Sequence, residues 1–305
     1  MGYIFDAMKM ADRARKTVAR TSASLAAEST FGRPMRLAAL APSDDVSIDA
    51  TATDVPEPVV ESVEPAKPAR PAPDAQSLAS MFQGLDSRLV AAHNPASPIT
   101  EEYRGIRTQM LARWEHRRHL IHTLTSATPG EGTTLSAVNL GMVFSELADR
   151  SVLIIDANLR HPVIDRMLNL PAEPGLLQVI RGEVKIDQAL HYFGRSNLSV
   201  LPAGGSVDAD ALRILSTHMF TGTLHMLRDR FDHVIVDTPA SLELSDAGII
   251  GSVSDDVLMV VRANHTPRPL IERAMRGLRD CNAPVSSVIL TAARATPARY
   301  GYHAR

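Results

Sequence analysis

The chain has 305 residues, 45% hydrophobic, 22% charged and 4% aromatic, with a formal net charge of −2. That length can bury a core and ordinarily suggests about two domains of roughly 150 residues, while the near-zero charge excludes a strongly cationic nucleic-acid binder. A single cysteine, Cys281, excludes an internal disulfide and any cysteine-based cluster or zinc site.

From Tyr3 to Arg20, Ile4, Phe5, Met8, Ala11 and Val18 fall near one helical face and Lys9, Arg13, Lys16 and Arg20 largely off it. This predicts an amphipathic N-terminal helix within residues 1–25, seated on a partner, on an anionic membrane surface or on its own domain. Half of the 20 prolines lie between Pro34 and Pro98, and no Phe, Trp or Tyr occurs from Gly32 through Ser80. Such a stretch lacks the large apolar groups that offset ordering entropy, so residues 26–92 are expected to be a disordered linker. Charge divides along the same boundary. Residues 1–43 carry seven Lys/Arg against three Asp/Glu, and residues 44–74 carry two against eight. No apolar run approaches the roughly 18–20 residues of a spanning helix, and no signal-peptide core is present. The sequence therefore predicts a soluble, cytoplasmic protein that reaches a membrane only through a partner.

Beyond residue 93 the pattern becomes regular. Runs rich in Val, Ile and Leu recur at His119–Ala127, Ser151–Ala157, Leu198–Gly204, His233–Pro239, Asp256–Ala263 and Ser286–Thr291, with helical periods at Thr134–Leu147, Ala209–Arg230 and Pro267–Asp280. Continuous apolar strands alternating with helices predict an α/β fold over 93–293, a doubly wound and mostly parallel sheet covered on both faces. In such sheets ligands sit at the carboxyl ends of the strands.

Three strand ends carry chemistry. The first leads into Thr128-Pro129-Gly130-Glu131-Gly132-Thr133-Thr134. Glycines between a strand and a helix let amides point around a phosphate chain, and the Thr134 hydroxyl falls where Mg²⁺ would be held. The second run ends in Asp156, followed by Asn158, Arg160 and Pro162, and the fourth ends in Asp237-Thr238-Pro239. Aspartates leaving buried apolar strands are costly unless they face a cation, so Asp156 and Asp237 are candidate metal ligands beside the loop.

These segments, with Ser245-Asp246-Ala247, resemble the Walker A, A′ and B motifs of the bacterial tyrosine kinases (BY-kinases), part of the ParA/MinD-type deviant P-loop NTPases. Upstream, Glu101-x-x-Arg104-x-x-Arg107 is similar to the family's oligomerisation helix, and Tyr300 and Tyr302 in the 294–305 tail resemble its phosphoacceptor cluster. The resemblance covers about residues 93–292. It implies ATP and Mg²⁺ as cofactors, with Pro129, Gly130, Glu131, Gly132, Thr133 and Thr134 at the nucleotide. It further implies Asp156 as metal ligand or base, Asp237 as the Walker B ligand, and a homo-oligomer. The implied setting is exopolysaccharide or capsule export, at the inner face of the cytoplasmic membrane, with a chain-length-determinant (polysaccharide copolymerase) protein as partner.

The sequence departs from the family at ligand-facing positions. Thr133 stands where the Walker A lysine is expected, Asn158 where a second A′ aspartate is usual, and Thr291 where relatives often have Asn near the base. No lysine occurs between Lys67 and Lys185, so Arg160 is the expected substitute cation. These departures predict a weak or lost kinase reaction. Alternative readings are a ParA/MinD-like positioning ATPase, whose signature lysines correspond to Thr128 and Thr133 here, and a non-enzymatic adaptor of the export complex.

Overall fold

The computed structural model describes residues 84–192 and 197–293. The expected N-terminal helix, the linker up to residue 83, and Tyr300 and Tyr302 lie outside the described residues.

The described strands are β1 (Leu120–Ser126), β2 (Val152–Asp156), β3 (His191–Tyr192), β4 (Leu198–Leu201), β5 (His233–Asp237), β6 (Asp256–Arg262) and β7 (Val285–Thr291). They form one sheet in the order β3-β4-β2-β5-β1-β6-β7, parallel throughout except for β3 against β4. All six expected strands are present. The two-residue β3 is additional and is too short to leave a periodic signal in the sequence.

Before β1 lie α1 (Val90–His93) and α2 (Pro98–Arg113), and α3 (Thr133–Phe144) follows it. The loops after β2 carry α4 (Ile164–Met167), α5 (Leu176–Ile180) and α6 (Ile186–Ala189), and β4 is followed by α7 (Ala211–Leu215) and α8 (His218–Arg230). Completing the fold are α9 (Asp246–Ser252) and α10 (Arg268–Asp280). The single helix expected over Ala209–Arg230 is thus two. Thr217 breaks it with extended backbone (φ −84°, ψ 150°) and caps the second part by accepting from Phe220 N at 3.2 Å.

Strand alternation divides the core between the two faces. Val152 and Ile154 of β2, Ile235 of β5, and Leu258 and Val260 of β6 pack with α3, whereas Leu153, Ile155, Val234 and Val236 pack with α5, α7 and α8. The α3 helix is buried almost all round, as expected of a helix enclosed between sheet and neighbouring helices. At Gly141 a Cβ would meet Ile154 Cδ1 at 2.5 Å, so the Ile154 side chain of β2 fills the space that a larger residue on α3 would need.

The folded domain begins earlier than expected. Leu85 and Leu89 are buried against the α3 side, and Ala91 N donates to Asn139 Oδ1 at 3.0 Å. The linker expected to run to 92 has therefore given way to domain structure by residue 84. Two leucines following a proline-rich stretch carry too little pattern to reveal their burial.

Candidate functional site

The β1–α3 loop is held from within. Gly130 (φ 80°) and Gly132 (φ 91°) occupy left-handed backbone, which only glycine adopts readily. Glu131, 1% exposed, accepts from Thr128 N (2.7 Å) and Thr128 Oγ1 (2.8 Å) through Oε1, and from Arg262 N (3.0 Å) through Oε2. The Thr291 hydroxyl donates to the Glu131 carbonyl at 2.7 Å. Two expectations change as a result. The Glu131 carboxylate pins the loop to β6 instead of facing a ligand, and the Thr291 hydroxyl holds the loop to β7.

At the loop's far end Thr133 opens α3, buried, and Thr134 Oγ1 donates to Asp237 Oδ2 at 2.7 Å. Asp156 and Asp237 are Cα partners at the ends of β2 and β5, and both are fully buried. Asp156 accepts from Asn158 N at 3.1 Å and from Val163 N and Ile164 N at 3.0 Å each. Asp237 Oδ1 has no partner among the described residues. Burial drives both carboxyls upward, and the Asp156 charge raises Asp237 further. Two adjoining buried carboxyls therefore disfavour being charged together.

Among the described residues no cluster of three His, Cys, Asp or Glu side chains could hold a metal. Two carboxylates and a hydroxyl nevertheless fit Mg²⁺, which is ordinarily held by one or two carboxylates and completed by water and substrate phosphates. The unpartnered Asp237 Oδ1 is the ligand atom such an ion would satisfy.

Other expected site residues are deployed differently. Arg160 does not offer a free guanidinium. Its Nε donates to Asp246 Oδ2 at 2.9 Å, and its Nη1 donates to the Asp208 carbonyl (2.6 Å) and Oδ1 (2.8 Å), with the more distant Nη2 facing Asp246 Oδ1 at 3.4 Å. Because Asp246 is completely buried, Arg160 is committed to neutralising it, which ties the A′ loop to the start of α9. Asn158 closes a turn, its Oδ1 accepting from His161 N at 3.2 Å. On α2, Arg104 pairs with Glu101 and Glu146, and Arg107 donates to the Val143 carbonyl and to Glu146 Oε2 (3.0 Å). The two arginines clamp α2 onto the end of α3, leaving Glu101 the most exposed of the three at 63%.

Sequence reasoning missed Glu146 and Asp208, which show no strand-end or motif context. It also missed a buried cluster at the opposite end of the sheet. His122 Nε2 and His233 Nδ1 lie 3.3 Å apart, His122 Nδ1 is 3.6 Å from Asp256 Oδ2, and Trp114 Nε1 donates to that oxygen at 3.3 Å.

A parallel sheet that delivers a glycine loop and two buried aspartates to one edge defines a P-loop NTPase fold. An AAA-domain family model matches residues 122–289, and the chain belongs to this family in its bacterial tyrosine-kinase form. It is 29% identical over 220 residues to the tyrosine-protein kinase YwqD of Bacillus subtilis (strain 168), covering 72% of this chain and 92% of that protein. The tyrosine-protein kinase etk of Escherichia coli (strain K12) is 29% identical over 201 residues, 66% of this chain but 27% of that longer protein. The succinoglycan biosynthesis transport protein ExoP of Rhizobium meliloti (strain 1021) is 29% identical over 68% of this chain and 26% of its own length. Among solved structures, the kinase domain of the Escherichia coli tyrosine kinase ETK superposes with a TM-score of 0.63 at 28% identity, covering 70% of this chain and 84% of that one. No helix among the described residues is long and apolar enough to cross a membrane.

Proposed function

We propose that this protein is a magnesium-nucleotide-binding BY-kinase-type component of a polysaccharide export system, with a tyrosine-kinase reaction weakened by Thr133. The observation that carries this reading is the Asp156/Asp237 pair, buried side by side with one oxygen unpartnered and the other joined to Thr134 at the loop. The loop amides and the α3 N-terminus bind phosphate, and Glu131 and Thr291 keep the loop in shape. When bound, Mg²⁺ screens phosphate charge and satisfies the paired carboxylates. Asp237 and Thr134 orient its ligands, and Asp156 accepts the proton of an incoming tyrosine hydroxyl or acts as metal ligand. Tyr300 and Tyr302 are the proposed acceptors.

The missing lysine removes a point charge from the terminal phosphates, where charge develops in transfer. A charged hydrogen bond contributes about 1.5–3 kcal/mol, so affinity falls by about ten- to a hundredfold and transfer by more. The protein then works chiefly through nucleotide-dependent assembly as a homo-oligomer, using the α2 face at Glu101, beside a membrane polysaccharide copolymerase. Purified full-length protein with ATP, Mg²⁺ and the partner's cytosolic tail, probed for phosphotyrosine, tests this. Weak labelling strengthened by Thr133→Lys is expected. Robust wild-type labelling that disappears in Asp156→Asn would overturn the impaired reaction.

A further inference from the structure

The loop lacks its lysine, and Arg160, the substitute suggested by the sequence, is engaged by Asp246 and Asp208. The described arginines without a described side-chain partner are Arg113, Arg262, Arg273, Arg276 and Arg279, and of these only Arg262 is bonded through its main chain to the loop. Arg262 is the last residue of β6 and the one exposed position of that strand. Its amide donates to Glu131 Oε2, and it pairs in register with Thr291, whose hydroxyl holds the Glu131 carbonyl.

Strand alternation fixes the side of the sheet. Leu258 and Val260 pack with α3, whereas Val257, Met259 and Val261 pack on the opposite face with Ala274 and Leu278 of α10. Arg262, two residues beyond Val260, therefore belongs to the α3 face, from which the loop rises. The strands flanking β1 are β5 and β6, each about 4.8 Å away. On the β5 side stand Asp237 and Asp156, and on the β6 side stands Arg262. A polyphosphate lying across the loop has the carboxylate pair at one flank and this guanidinium at the other.

We infer that Arg262 is a nucleotide-binding residue whose guanidinium contacts the phosphate chain from the β6 side, supplying part of the charge that Thr133 lacks. This inference rests on the nucleotide reading above. The loop is fastened through the Arg262 amide, so changing the side chain leaves that bond in place. Altered affinity therefore reports the guanidinium itself.

ATP affinity with Mg²⁺, measured by calorimetry on the full chain, tests the inference with Arg262→Gln, Arg262→Lys and Arg262→Tyr. A charge contact predicts binding about tenfold weaker for Gln and Tyr, near wild type for Lys, and an unchanged melting temperature for all three. Wild-type binding with equal affinity in every variant would overturn it. So would retention by Tyr with loss by Lys, which marks stacking on a base. A wild-type chain that binds no nucleotide would instead remove the reading on which the inference stands.

Discussion

Replacing Asp237 with Asn separates stability from binding at the same atom. Asp237 is fully buried, adjoins the Asp156 carboxylate, and leaves Oδ1 without a partner. An unsatisfied buried polar group costs about 1–3 kcal/mol, and more when charged. Asparagine is nearly isosteric, keeps an oxygen for the Thr134 hydroxyl, and removes one of the two adjoining buried charges. The Asp237→Asn protein without Mg²⁺ should therefore be more stable than wild type by about 2 kcal/mol. For a domain of this size that is roughly 4–8 °C in melting temperature. The same change should abolish the Mg²⁺-dependent part of ATP binding. Differential scanning fluorimetry with EDTA, then with Mg²⁺ and ATP, measures both effects. A variant that melts lower than wild type in EDTA would refute the claim that the two carboxylates strain the metal-free site.

Other expectations follow from separate parts of the molecule. Thr133→Lys should tighten ATP binding by about ten- to a hundredfold, read by calorimetry, because it restores one charged hydrogen bond. Leu89→Ala should destabilise the domain by about 3 kcal/mol in urea unfolding, since Leu89 is completely buried. An unchanged midpoint would mean that residues 84–92 behave as linker. His233 is pushed down to about 3, first by burial and then by His122, so it stays neutral when folded while the unfolded chain protonates near 6.5. The folded state should consequently lose stability as pH falls from about 6.5 toward 3. The raised carboxylate pair acts in the opposite sense, its native state losing stability as pH rises above the ordinary Asp range, so the comparison belongs in the Asp237→Asn background. There, His233→Phe should flatten the acid loss in unfolding experiments from pH 4 to 7, and an unchanged slope would refute it.

How much of this was legible in the sequence depended on whether a residue's role followed from its strand or from its neighbours in space. The placement of Asp156 and Asp237 as buried neighbours was readable because each ends a continuous apolar strand of one parallel sheet. The doubly wound sheet was readable because strands buried on both faces leave unbroken Val/Ile/Leu runs. Glu131 was misread because its motif neighbours suggest a phosphate-facing loop, and nothing local shows that its carboxylate turns inward to the Arg262 amide. Arg160 was misread for a similar reason. Its partner Asp246 lies 86 residues away, and only the packing of α9 against the A′ loop shows that the guanidinium is already committed. Arg104 and Arg107 were legible as one helix face, but their engagement with Glu146 required the position of the end of α3.

We propose Asp156, Asp237 and Thr134 as the metal end of a nucleotide site that persists without the Walker A lysine. Calorimetric titration of the full chain with ATP, in the presence and absence of Mg²⁺, tests it most directly. Weak but saturable binding that requires Mg²⁺ is the expected result. Binding of equal strength without the ion, or no binding at millimolar ATP, would contradict it.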